Sequence, residues 1–330
     1  MNANRSAIWL LVGVVLGFGL PVLAFIGLVV ALVVSASQLS APDLTSANET
    51  SHVSGPTSGA AVALIDITGP ITSGTANVFD AADMAASGDI VPLISTASER
   101  SDIKALVLRV NSPGGSVVGS DEIYHALLGV EKPVVVLMKE IATSGGYYLS
   151  MTARHIVVNP NTLTGSIGVI GQFANARELM DKIGLEMTTI KSGESKDIGN
   201  PFREMTAEDR AIFQRIIDET YDRFVEIVSA GRSMPVEQVR ELADGRVYTG
   251  QQALDLGLVD TLGYEKDAVA IAAELAEIEG EPRVVRLKRG ARLIETLLRG
   301  TGRDLSALAD FSQSWIRRRM TPSLEFRWEP

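Results

Sequence analysis

The chain has no cysteine. That excludes disulfides, a thiolate nucleophile and any zinc–thiolate site. Histidine is scarce: His52, His125 and His155 are scattered, with no HExxH, no His-x-His and no carboxylate cluster at ligand spacing, so neither a metal nor another cofactor is expected. Positive charge is in deficit, 30 Lys and Arg against 40 Asp and Glu for a net charge of −10; a general nucleic-acid partner would need the opposite balance. Hydrophobic residues at 46% against 21% charged ones argue for a folded, not a disordered, chain.

Charge is absent altogether from residues 7–34, AIWLLVGVVLGFGLPVLAFIGLVVALVV. A helix of this length crosses a hydrocarbon core of ~30 Å with margin for tilt. Arg5 precedes it and Asp43 and Glu49 follow, so residues 1–6 are expected in the cytoplasm and the bulk of the chain outside, in a single-pass membrane protein. A cleaved signal sequence ending near Ser35-Ala36 is the competing reading. Residues 35–60 are rich in Ser, Thr, Gly, Pro and Ala and read as a flexible linker. A domain is expected over 61–275. Residues 276–330 form a basic amphipathic tail, Arg283 to Arg319 interspersed with leucines, either solvated or laid against anionic membrane lipid.

Within the domain one pattern recurs. A β-branched apolar run ends in a glycine-rich turn and a helix-like segment follows, at ALVLRV-NSPGG, VVVLM-KEIATSGG and HIVVNP-NTLTGSIG. Strands alternating with helices predict an α/β fold with largely parallel pairing. Strands are expected at 61–67 and 105–110 and a helix at 90–100. Thr206 and Asp209 make a capping-box start. Ile212, Phe213, Ile216, Ile217, Tyr221, Phe224, Val225 and Val228 then recur at helical spacing, as core or subunit interface. Thr249 suits the cap of a short helix ended by Gly257.

With cysteine absent and the histidines poorly placed, the chemistry falls to serines. Ser144, in IATSGGYY, follows a strand and precedes two glycines. A serine at such a turn projects its hydroxyl from a strand's end, and the next amide, Gly145 N–H, can face a developing oxyanion. The same local sequence also suits a serine that only caps a helix. In NSPGGS, residues 111–116, Gly114 N–H is a second possible donor; no P-loop lysine pattern follows it. Lys191 and Lys196 lie in the loop IKSGESKDIGNPFR, and a lysine acts as a base only when its surroundings lower its pKa.

Taken in order, NSPGG, ATSGGYY, LTGSIGV, IKSGESKDIGNPFREMT and DGRVYTGQQALDLGLVDTLG resemble the signal peptide peptidase A (SppA) family over residues 62–263. The resemblance implies a crotonase-like and Clp-protease-like fold of repeated ββα units behind the N-terminal transmembrane helix. It implies a serine endopeptidase with a Ser–Lys dyad: Ser144 as nucleophile, Lys196 as general base, Gly114 and Gly145 as oxyanion donors, and Ser166 orienting the lysine. Lys191 is then the neighbouring decoy. One SGGYY and one NSPGG match the family's short form, whose members assemble into rings. A homo-oligomer such as an octamer is therefore expected, with dyads shared between subunits and with signal peptides and other unfolded apolar segments as substrates. A crotonase-superfamily acyl-CoA enzyme and an inactive membrane scaffold are the rival readings.

Overall fold

A computed structural model describes residues 49–76, 84–289 and 324–327. Residues 1–34, where the cytoplasmic N-terminus and the anchor are expected, fall outside them; among the described residues no helix is long and apolar enough to cross a membrane.

Fourteen strands are described: β1 (Glu49–Ser54), β2 (Ala61–Thr68), β3 (Ile71–Thr72), β4 (Ala85–Ala86), β5 (Ile103–Ser112), β6 (Gly114–Ser116), β7 (Val134–Thr143), β8 (His155–Val158), β9 (Leu163–Gly165), β10 (Ile170–Gly171), β11 (Val247–Thr249), β12 (Thr261–Leu262), β13 (Arg283–Lys288) and β14 (Leu324–Arg327). Nine form one sheet, in the order β1-β13-β2-β5-β7-β8-β12, with β9 on β7 and β11 on β9. Its centre is parallel, with Val107 of β5 opposite Leu64 of β2 and Val135 of β7. The other five form a second sheet, β10-β14-β6-β3-β4.

The apolar runs are continuous because both faces of the parallel sheet are covered. Successive side chains alternate between the faces. Ala63, Ile65, Leu106 and Leu108 pack with residues of α1 (Ser87–Glu99), α2 (Val117–Leu128), α3 (Gly145–Ser150) and α5 (Ala207–Arg232). Val62, Leu64, Val107 and Val135 pack against Ala268 and Ala272 of α8 (Glu265–Leu275). Three short helices complete the set: α4 (Arg177–Ile183), α6 (Val236–Leu242) and α7 (Gly250–Asp255). The chain twice runs from a strand of the large sheet through the small sheet into a helix, at β2-β3-β4-α1 and at β5-β6-α2.

Two boundaries differ from expectation. Glu49–Ser54, inside the stretch read as linker, is an antiparallel edge strand on β13, with Thr50 opposite Leu287. Its Ser- and Thr-rich composition hid it, because ladder hydrogen bonds need no apolar side chain. And β13, inside the stretch read as tail, lies between β1 and β2 in the large sheet. It buries Val284, Val285 and Leu287, while Arg283 pairs with Asp102 and Arg289 with Asp89. The large sheet therefore takes in Arg283–Lys288, and the arginines that suggested a solvated tail are partly ion-pair partners of the fold.

The apolar stripe of α5 divides. Phe224, Val225 and Val228 are buried, whereas Ile216 is 39% exposed. Both expected caps are present: Thr206 accepts from Asp209 N–H, Asp209 accepts from Thr206 N–H, and Thr249 with Gln252 does the same for α7.

Candidate active site

Strands β5, β7 and β9 end side by side, and their exits define the site. At the end of β7, Ser144 adopts φ 52°, ψ −114°, a left-handed conformation that costs a non-glycine residue of order 1–3 kcal/mol. It is held there from both sides: Ser144 N–H donates to Gly165 O at 2.8 Å, and Tyr148 N–H donates to Ser144 O at 2.8 Å. The side chain makes no capping hydrogen bond to α3, so the reading of Ser144 as a mere helix cap does not describe it. Ser144 is 1% exposed.

At the end of β5, Pro113 turns the chain into β6. Gly114 has φ 90° and Gly115 φ 151°. A Cβ on Gly145 would lie 3.3 Å from Gly114 Cα and 3.4 Å from Gly115 N. The backbones of the two expected oxyanion donors thus lie close together, and Ser120 Oγ fills the space that a side chain at Gly145 would need. Gly114 N–H points to Ser112 Oγ at 3.1 Å, and this hydrogen bond must yield if an oxyanion is to take the donor. Beyond β9, Ser166 is the second serine with positive φ, 48°. It is buried and donates its N–H to Arg246 O at 2.8 Å. Strand β14 lies between β6 and β10, antiparallel to both, with Phe326 opposite Gly115 and Arg327 opposite Gly114.

A positive-φ serine between a parallel strand and a helix, with a glycine turn against it, suits acyl transfer, and similarity to known proteins decides the class. A family model for peptidase family S49 matches residues 126–279, and one for Clp protease matches residues 71–164. The slr0021 protein of Synechocystis sp., described as a candidate protease, is 41% identical over 251 residues, covering 76% of this chain and 86% of that one. The chain belongs to peptidase family S49, the SppA family. The chloroplastic serine protease SPPA of Arabidopsis thaliana is 36% identical over 218 residues, 64% of this chain and 32% of its own. Protease 4 of Haemophilus influenzae is 37% identical over 218 residues, 65% and 34%. The protein is a serine-type peptidase with a Clp-protease-like α/β fold.

In this S49 peptidase the two lysines differ in their surroundings. Lys191 Nζ donates to Glu194 O at 2.7 Å and to Asp197 Oδ1 at 2.8 Å. Lys196, on a short 3-10 turn (Glu194–Asp197), is exposed; its backbone N–H donates to Gly193 O at 3.2 Å, and its ammonium makes no hydrogen bond or ion pair with a described residue. Nor does any hydrogen bond join it to Ser144 or Ser166. Asp197 also receives Arg203, at 3.0 Å from Nε to Oδ2 and 3.0 Å from Nη2 to Oδ1. Arg203 reaches on to Glu204 O at 2.9 Å and to Asp209. Arg203 and then Lys191 hold the Asp197 carboxyl down to about 2.

A second cluster braces the serine's helix. Tyr148 OH donates to Asp121 Oδ1 at 2.6 Å, and Arg223 Nη2 donates to the same oxygen at 2.8 Å. Burial, then the bond to Asp121, raises the Tyr148 phenol well above its ordinary value. Tyr147 OH donates to Leu258 O at 2.8 Å. Asp121, Arg223, Asp197 and Arg203 were not singled out from the sequence. Their signal there is thin: single charges that acquire partners only when distant segments meet. Among the described residues no group of His, Cys, Asp or Glu is arranged to hold a metal.

Proposed function

We propose that this peptidase is a membrane-anchored endopeptidase that cleaves signal peptides and other unfolded apolar segments outside the cytoplasm, through a Ser144–Lys196 dyad. The observation that carries it is the strained, buried Ser144 with the Gly145 backbone close beside Gly114. Neutral Lys196 takes the Ser144 proton, and the alkoxide attacks the substrate carbonyl. The Gly114 and Gly145 amides stabilise the oxyanion, worth about 3–4 kcal/mol for a donor of this kind. The lysine ammonium then gives its proton to the leaving amine, and water hydrolyses the acyl-enzyme. Ser166, buried one residue beyond Gly165, orients the lysine.

Homo-oligomeric assembly supplies what one chain does not bring together. Arg223 of α5 touches Tyr148 beside Ser144, while Asp209, at the other end of α5, receives the arginine that holds Asp197. About 21 Å of helix, at ~1.5 Å per residue, separates them. Leu179, Ile183, Leu185, Met187 and Ile190 are 53–95% exposed on the segment before Lys196. An apolar patch of this kind favours a neighbouring subunit, and on this reading Lys196 serves the Ser144 of the next copy. Strand β14 supports an extended-peptide substrate: a stretch of backbone already hydrogen-bonds along β6.

The test is hydrolysis of a fluorogenic signal-peptide mimic by the full chain in detergent, beside Ser144→Ala, Lys196→Ala and Lys191→Ala. Loss of at least ~10³-fold at Ser144 and Lys196 is expected. An active Lys196→Ala beside an inactive Lys191→Ala reassigns the base. Equal background from wild type and Ser144→Ala across several peptides removes the reading.

A further inference from the structure

The loop that carries Lys196 has little to hold it. Every residue from Asp181 to Lys196 is exposed, so burial contributes almost nothing to its conformation. A general base, by contrast, must sit within hydrogen-bond reach of the proton it takes. Something other than a hydrophobic core has to order this segment.

One electrostatic knot does so. Asp197, the residue after Lys196, is the only part of the short turn whose side chain is largely covered, at 11% exposure. Its two carboxylate oxygens take three donors: Lys191 Nζ on Oδ1, Arg203 Nη2 on Oδ1 and Arg203 Nε on Oδ2. Arg203 Nη2 also reaches the Asp197 carbonyl at 3.2 Å. The remaining guanidinium nitrogen, Nη1, joins Glu204 O and Asp209. Asp209 is 4% exposed and is the reciprocal half of the α5 capping box. All three nitrogens of one planar fork are therefore committed, tying the turn to the first turn of a 26-residue helix. The other half of that helix is anchored in the core by Phe224, Val225 and Val228. A fork with this many directed bonds fixes orientation as well as distance, which a lysine's point charge cannot do.

We infer that Arg203, acting through Asp197 and aided by Lys191, is the positioning residue for Lys196, fixing the base loop to the N-terminus of α5. This rests on the assignment of Lys196 as base. Lys191 then has a structural task, which accounts for two lysines so close in one loop with opposite surroundings. Neither Arg203 nor Asp197 touches substrate; both act through the backbone that carries Lys196.

The test uses the full chain with the fluorogenic peptide, measuring kcat, KM and oligomeric state by light scattering for Arg203→Gln, Asp197→Asn, Lys191→Ala and the double variant Asp197→Asn/Arg203→Gln. Lys196→Ala serves as reference. The expected result is a kcat lowered ~10- to 100-fold at Arg203 and Asp197, the scale of a misplaced catalytic group, with KM within about threefold. The double variant should be no worse than the worse single one, as for two members of one unit. Lys191→Ala should lose less, since the arginine ties remain. If Arg203→Gln alters the assembly, Asp197→Asn and Lys191→Ala decide: reduced kcat in an intact oligomer supports the clamp, and wild-type kcat overturns it. Wild-type kcat in all these variants beside an inactive Lys196→Ala overturns the clamp and leaves the dyad standing. An active Lys196→Ala overturns both.

Discussion

Ser144 and Ser166, both at positive φ, put backbone strain into the site itself. Gly145 has no room for a side chain, because a methyl group there would collide with Ser120 Oγ and press on Gly114 Cα and Gly115 N at 3.3 and 3.4 Å. Gly145→Ala should therefore cut peptide hydrolysis by at least ~10²-fold, the cost of displacing one oxyanion donor, and retained activity would separate Gly145 from that role. Thr143 offers the opposite case. Its hydroxyl is buried and has no hydrogen-bond partner among the described residues, a condition that costs about 1–3 kcal/mol. The isosteric Thr143→Val should leave the denaturation midpoint unchanged or raise it, by ~1 kcal/mol of stability; a loss of that size would show that the hydroxyl has found a partner.

Elements hold these residues by their ends. Helix α3, one and a half turns long, cannot fix itself; it is fixed by Tyr148 on Asp121 and Tyr147 on Leu258 O. Tyr148→Phe removes the first bond and leaves the Asp121 carboxylate with Arg223 alone. An unfolding midpoint lowered by about 1–2 kcal/mol is expected, with kcat falling further than stability explains. At the far end of α5 the sign of the pH effect follows from Asp197. Its carboxyl lies at about 2, below the ordinary 3.8. A depressed carboxylate contributes fully above its unfolded value and loses that contribution as pH falls through the folded one. The clamp should therefore persist at pH 4 and above and fail only near pH 2. Wild type and Asp197→Asn, compared from pH 4.5 to 8, should then give pH–rate profiles of the same shape at different heights; convergence on the acid side would mean that Asp197 titrates within the working range.

At the scale of the whole molecule, shared sites and the β14 strand make separate claims. If Ser144 of one copy works with Lys196 of the next, co-assembling Ser144→Ala with Lys196→Ala should restore about a quarter of wild-type activity, the fraction of mixed interfaces with both groups intact in a closed ring. A dyad within one chain would restore none. Replacing Ile183 and Ile190 by aspartate should yield smaller species with little activity, read by light scattering. Strand β14 occupies the backbone edge of β6 that ends at Gly114. Ending the chain after Arg289 should free that edge and lower KM for extended peptides, with kcat little changed; an unchanged KM would mean the strand does not compete with substrate.

Much of this was legible in one dimension because it is local. Apolar β-branched runs specify buried parallel strands wherever they pair, as at 103–112 and 134–143. Thr206 with Asp209 and Thr249 with Gln252 need only their own turn to form a cap. The turns at NSPGG and TSGGYY carry their chemistry in adjacent residues, and their order along the chain was enough to mark the family. What the sequence could not decide depends on partners far away. Glu49–Ser54 and Arg283–Lys288 are strands because each offers the other a backbone edge, which composition does not encode. Lys191 and Lys196 are alike as letters; only folding gives one of them Asp197 and leaves the ammonium of the other without a partner among the described residues. Arg203, Asp121 and Arg223 acquired roles in the same way, because an ion pair is a property of distance in space and the sequence records distance only along the chain.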